Sequence, residues 1–168
     1  MILASIPVPG RTRWTVFDPT RNVFFVNVAD PGQIVVIDPE RPQPLADHFA
    51  VPDRGPHGLE IDLVRRRLYC ACDGGKLVSL DCASGTVEGI LELSGAPDVI
   101  FHDHELAHLY VAIGDPGVID VVDTAQWRQL ETIPTERGAH TLAMDETAHK
   151  IYAFLPASHR AAVFGDEV

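Results

Sequence analysis

The stretch VAIGDPGVIDVVD, from Val111 to Asp123, has a near twin 85 residues earlier, VNVADPGQIVVID from Val26 to Asp38, with seven of thirteen positions identical. A chain of 168 residues that writes one hairpin twice is constrained to a repeat architecture, and the period decides what it can fold into. Four copies emerge when the rest of the chain is laid against the twins. Each opens with a short apolar strand running into a turn: WTVFDPTRN from Trp14, GLEIDLVRR from Gly58, DVIFHDHELAH from Asp98 and TLAMDETAHK from Thr141. Seven or eight residues after the Asp, or after His102 in the third copy, an aromatic residue opens a second strand: Phe25, Tyr69, Tyr110 and Tyr152. A third strand ends at Asp38, Asp81, Asp123 or, in the last copy, around Phe164. In the first three copies a turn then leads to a fourth strand: LADHFAV, VEGILEL and QLETIP.

The copies start at Arg13, His57, Pro97 and His140, in steps of 44, 40 and 43 residues, so the twin hairpins lie two repeats apart. Four short strands in a period of about 42 residues are the signature of a propeller blade. A single four-stranded sheet that is apolar on both faces cannot bury either one alone, and stacking sheets around an axis covers both. The chain also opens on LASIP, from Leu3 to Pro7, which matches LETIP from Leu130 to Pro134 in the third copy. In both places the proline precedes the next copy's start by six residues. The expected fold is therefore an all-β propeller of four four-stranded antiparallel blades, residues 1–168 forming one domain. The N-terminal strand is expected to complete the last blade, within the chain or in a neighbour. The aspartates closing each third strand are expected to accept hydrogen bonds from amides two residues on. Gly is expected to go left-handed in Asp-Pro-Gly and Asp73-Gly74-Gly75-Lys76.

Composition excludes several functions. With 24 acidic against 13 basic residues the net charge is −11, a field that repels phosphate backbones and disfavours nucleic acid as a partner. The apolar runs are short and broken by Asp, Gly or Pro, so none reads as a membrane span. The N-terminus lacks the basic and small-residue pattern of a signal peptide, so the chain as written would stay in the cytoplasm. Cys70, Cys72 and Cys82 are odd in number and lack CxxC spacing; they read as small buried hydrophobes.

First strands line a propeller's channel, so Arg13, His57, Pro97 and His140, followed by Trp14, Gly58, Asp98 and Thr141, fall at its mouth. An arginine, two histidines and a carboxylate on one rim suit an anion or a metal. Glu60 is the one acidic residue inside a first strand, opposite Val16, Ile100 and Ala143 in the other copies, and is the fifth candidate. His102, His104 and His108 sit in a turn on the far rim, without a further ligand at a metal spacing. No Gly-x-Ser-x-Gly or phosphate-loop motif occurs.

The four copies resemble the YVTN-repeat, YncE-like β-propellers, whose blades carry Tyr-Val-Thr-Asn followed by a hairpin ending in Ile-Asp. The element here reads YVAI from Tyr110, YCAC from Tyr69, FVNV from Phe25 and YAFL from Tyr152, without the family's Asn. The resemblance implies the propeller fold over the whole chain and leaves activity open, since the group spans binding proteins, surface-layer components and lactonase-like enzymes. Its relatives are often exported and close with about seven blades, within the range of known propellers. Four blades therefore form a ring of their own, half of a larger ring closed by a homodimer, or a portion of a longer propeller. The functional expectation is a non-catalytic binding or scaffold protein, without a cofactor. The alternative is a lactonase-like metal-dependent hydrolase using His57, His140, Asp98 and Glu60 at the channel mouth.

Overall fold

The computed structural model describes residues 1–3, 5–41 and 48–166. Within them every regular element is a strand, and the strands fall into four antiparallel sheets whose order follows the chain. The first holds β1 (Thr12–Asp18), β2 (Val23–Val28), β3 (Gln33–Ile37) and β4 (His48–Ala50). The second holds β5 (Pro56–Asp62), β6 (Arg67–Cys72), β7 (Lys76–Asp81) and β8 (Val87–Glu92). The third holds β9 (Pro97–Asp103), β10 (His108–Ile113), β11 (Val118–Asp123) and β12 (Arg128–Pro134). The fourth holds β13 (Leu142–Asp145), β14 (Lys150–Leu155) and β15 (Arg160–Gly165). These are the blades that the period predicts. The start of the fourth strand expected in the first blade, residues 45–47, lies outside the described residues.

Turn chemistry fixes the strand ends. Asp18, Asp62 and Asp103 each accept backbone N–H groups two and three residues on, and Asp145 accepts from Ala148. After the third strands Asp81 and Asp123 do the same, and Asp38 accepts from Glu40. Asp103, rather than His102, thus occupies the turn position of the third copy. The chain then turns left-handed at Asn22, Arg66, Ala107 and His149, four residues beyond each Asp. Two of those residues reach back to the preceding blade's aspartate: Arg66 lies 3.7 Å from Asp18, and His149 Nδ1 lies 2.7 Å from Asp103. Burial alone would raise the Asp18 carboxyl; hydrogen bonds from Thr20 and Arg21, with the charge of Arg66, hold it below the usual range. Gly75 and Gly117 take the left-handed conformation expected of them between second and third strands, whereas Gly32 does not.

Each blade interface is one apolar layer. Phe25, Ile34, Val36 and Phe49 of the first blade pack on Leu59, Leu68, Cys70, Val78 and Leu80 of the second. Tyr69, Ala71 and Leu77 meet Leu109, Val111, Ile113 and Val122 between the second and third. Tyr110, Ala112, Ile119 and Val121 meet Leu142, Ile151 and Ala153 between the third and fourth. Alternation along each second strand explains this: one residue faces the blade before, the next faces the blade after, and both are apolar. The three cysteines are buried in or beside the first layer, Cys70 and Cys72 on one face with sulfurs 3.9 Å apart. First strands are neighbours in turn, β1 beside β5, β5 beside β9 and β9 beside β13.

One expected element does not form within the chain. Among the described residues the fourth sheet has three strands, and residues 1–3 and 5–7 belong to no sheet. Leu3 is 86% exposed. The physical reason is distance: the segment leads into Arg11, whose carbonyl accepts the Ala29 N–H, so it is tied to the first blade. The fourth blade lies three sheets away along the stack. Stability rests mainly on the three apolar layers. Leu109→Ala, which empties a fully buried position in the middle layer, is expected to cost about 3 kcal/mol in urea unfolding followed by circular dichroism.

Candidate functional site

The start of each first strand is irregular, and the irregularity aims the rim residues. The ladder shifts between Thr12 and Thr15 in β1 and between Pro56 and Gly58 in β5. Opposite β9 it shifts between Val111 and Ile113, where Ile113 pairs Pro97. Arg13, His57 and Asp98 therefore sit at the same place in successive blades, each at a bulge of the kind that re-aims a side chain. Asp98, rather than Pro97, is the third copy's rim residue. The same register sets Glu60, paired with Tyr69, against Val16, Phe101 and Ala143, so its third-copy counterpart is Phe101 and not Ile100. Both corrections have one cause: β9 carries His102 before its turn aspartate, which shifts the apparent alignment by one residue.

The four rim residues form a connected series, one from each blade. Arg13 Nη1 lies 2.9 Å from His57 Nε2, and Arg13 Nη2 donates to Asp73 Oδ2 at 3.3 Å. His57 Nδ1 lies 2.8 Å from Asp73 Oδ1, and its Nε2 lies 3.2 Å from Asp98 Oδ1. His140 Nδ1 completes the series at 2.7 Å from Asp98 Oδ2. The Nδ1–H of His57 donates to Asp73. Its Nε2 then has two alternatives: unprotonated, it accepts from Arg13; protonated, it donates to Asp98. His57 is the hub, joined to its own blade and to the blades on either side.

Two parts of this arrangement escape a reading of the sequence. Asp73 follows β6 directly, and its N–H donates to the Gly55 carbonyl, which returns it to the rim where β5 begins. Its counterparts Ala29 and Gly114 carry no charge, so no repeat pattern marks it; only the strand register does. Asn27, fully buried in β2, donates to the carbonyls of both His57 and Gly58 at 3.0 and 3.1 Å. It thereby satisfies the bulged backbone beneath the hub across a blade boundary. Gly58 is required there as well, since a Cβ on it would stand 2.8 Å from the Asp98 carbonyl.

Glu60 does not join the series. It lies three residues further along β5, half-buried, with no hydrogen bond to a rim side chain among the described residues. Burial, with a smaller contribution from the charge of Glu146, pushes its carboxyl up to about 7. Nor do the rim groups form a metal cage. Among the described residues no group of three His, Cys, Asp or Glu side chains is placed to hold an ion.

On the opposite rim His102 is fully buried, edge-on to Tyr69 at 5.2 Å. The Thr124 hydroxyl gives its hydrogen to the Ala107 carbonyl. His102 Nε2–H therefore donates to Thr124, and its Nδ1 accepts from His104 at 3.1 Å. Burial and the neighbouring His104 push the His102 imidazole down to about 4. His-x-His here is a packing pair. His108 belongs elsewhere, its Nδ1 lying 2.6 Å from Asp166.

Comparison with known proteins bears on the fold. No protein-family model and no curated protein matches the chain. Solved structures do match. A Kuenenia stuttgartiensis hydrazine synthase superposes with a TM-score of 0.77 at 16% identity, over 92% of this chain and 44% of its own. A functionally unknown protein from Desulfotomaculum acetoxidans DSM 771 gives 0.76 at 14% identity, over 97% and 57%. A "putative 6-phosphogluconolactonase" from Bacteroides uniformis ATCC 8492 gives 0.77 at 15% identity, over 99% and 55%. The chain thus has a β-propeller fold and spans about half the length of the structures it matches.

Two measurements check the site. His57→Ala removes the hub and leaves Asp73 with Arg13 alone and Asp98 with His140 alone, so it is expected to lower stability by about 1–2 kcal/mol in urea unfolding. Glu60→Gln tests the raised carboxyl. Folded Glu60 keeps its proton up to about pH 7, whereas the unfolded chain releases it near 4.5, so the wild type loses stability as pH rises through that window. The variant should match the wild type at pH 4 and exceed it at pH 8, on the order of 2 kcal/mol.

Proposed function

We propose that the chain is a non-catalytic binding propeller that takes a small polar ligand at its channel mouth. The observation that carries this reading is the series Arg13, His57, Asp98 and His140, with Asp73 beside it. Four blades each place a hydrogen-bonding side chain at one rim, and His57 and Arg13 are only partly exposed there. Repeat proteins present binding sites where their loops converge in this way.

The ligand chemistry follows from the groups. Arg13 and the imidazoles offer N–H donors, while Asp73 and Asp98 offer carboxylate oxygens. A molecule combining an acidic group with hydroxyls, such as a sugar acid or sugar phosphate, can exchange partners with both sets. Support for a reading without chemistry comes from the pairing of these groups with one another. A metal-dependent hydrolase needs at least three donors converging on one ion with a position left open. The likeness to a lactonase-described structure, at 15% identity, supports the fold and adds nothing to the donor set.

Thermal denaturation in the presence of a panel of sugar acids, sugar phosphates and divalent metals separates the readings. A sugar acid or sugar phosphate is expected to raise the melting temperature of the wild type and not that of Arg13→Ala or His57→Ala. Zinc, manganese, calcium and magnesium are expected to leave it unchanged. A metal-dependent rise abolished by His57→Ala, together with metal-dependent hydrolysis of a sugar lactone, would establish the hydrolase instead.

A further inference from the structure

The repeat allows one side-chain position to be followed from blade to blade, and at two places the pattern of burial breaks. The second residue of each second strand faces the preceding blade: Leu68, Leu109 and Ile151 are buried there. Their counterpart in the first blade, Phe24, is 36% exposed and lies against Phe17, ring centres 4.7 Å apart. The converse holds in the fourth blade. Ala71 and Ala112, which face the following blade, are fully buried, whereas their counterpart Phe154 is 48% exposed. Val121 is buried, whereas its counterpart Val163 is 56% exposed. The two exposed faces are the missing halves of the interface formed three times inside the chain.

Three further observations point to what covers them. The exposed face of the fourth blade is a groove lined by His140, Phe154, Leu155, Pro156, His159 and Arg160. It takes in the last member of the rim series. At the other end of that series the Nε of Arg13 is buried without a hydrogen-bond partner. Finally, among the described residues the fourth sheet has no strand beyond β15, while LASIP matches the strand LETIP that pairs with β11 in the third sheet. In the interior of the chain such a strand runs on into the first strand of the next blade, as β12 runs on to β13.

We propose that a second copy of this chain covers both faces, giving an eight-bladed ring with a two-fold axis. The fourth blade of each copy packs on the first blade of the other. Phe154 and Val163 are then buried against the partner face that carries Phe17 and Phe24, continuing the three existing layers. The two contacts are identical by symmetry, so the assembly closes instead of polymerising. LASIP of each copy becomes the fourth strand of the other copy's last blade. It aligns with β15 as LETIP aligns with β11, where Ile133 pairs Ile119 and Thr132 pairs Asp120. Ser5 is thereby set opposite Ala162, and Ile6 opposite Ala161. The rim series also continues, His140 of one copy being followed by Arg13 of the other, so the candidate ligand site doubles.

Light scattering after gel filtration is expected to give twice the 18.4 kDa chain mass at micromolar concentration. Phe154→Asp should return it to one chain mass with an unchanged circular dichroism spectrum. A second experiment does not depend on that variant folding. Ser5→Cys and Ala162→Cys chains, mixed under reducing conditions and then mildly oxidised, should yield a disulfide-linked pair that neither forms alone. A single chain mass for the wild type, an open-ended series of larger species, or cross-linking only when both cysteines are on one chain would each overturn the proposal.

Discussion

Burial of both faces of every sheet is the constraint on which the rest of this structure depends. A lone sheet with Leu68, Cys70 and Leu80 on one face and Tyr69 and Leu77 on the other would expose an apolar surface whichever way it turned. The chain answers by placing a sheet against each face, and three layers of buried side chains follow. The hydrogen-bonded features operate at the margins of those layers. Turn aspartates end the strands on one rim, and the bulged first strands end them on the other. The site is a by-product of stacking, because neighbouring first strands bring the rim residues of adjacent blades within hydrogen-bonding reach.

The two rims treat charge differently. On the turn side Asp18, Asp62 and Asp103 are buried and committed to backbone amides, and their carboxyls sit below the usual range because those bonds outweigh burial. Those groups are anchors. On the channel side Asp73 and Asp98 are about a third exposed and share their oxygens with side chains from other strands and blades. A side-chain partner can be displaced by a ligand at far smaller cost than a strand-ending amide. That contrast, more than the identity of any one residue, separates the proposed binding rim from the rim that holds the fold.

Much of this was legible in the residues because the blade is written four times. Period, strand order and turn aspartates all recur, and each recurrence constrains the others. Four of the five candidate residues, Arg13, His57, Asp98 and His140, do come together, since they occupy the repeat's rim position. The errors lie where repetition fails. His102 stands just before the turn aspartate of the third blade and mimics it, which displaces Pro97, Asp98 and the counterpart of Glu60 by one. Asp73 and Asn27 are unique to their blades, so only the strand register and a cross-blade contact reveal them. Glu60 stands out by its charge in a strand, but its distance along β5 keeps it from the rim series. LASIP matches a fourth strand by pattern, yet no pattern states which sheet it joins.

The bulges have a consequence for how such a chain can change over time. A side chain at a bulge stands outside the regular ladder, so replacing it leaves strand pairing intact, and the apolar layers lie on the sheet faces, away from it. Arginine, histidine and aspartate already occupy equivalent positions in successive blades of this one molecule. The fold thus keeps a row of interchangeable slots at its mouth, and new recognition can be written there one blade at a time without renegotiating the scaffold.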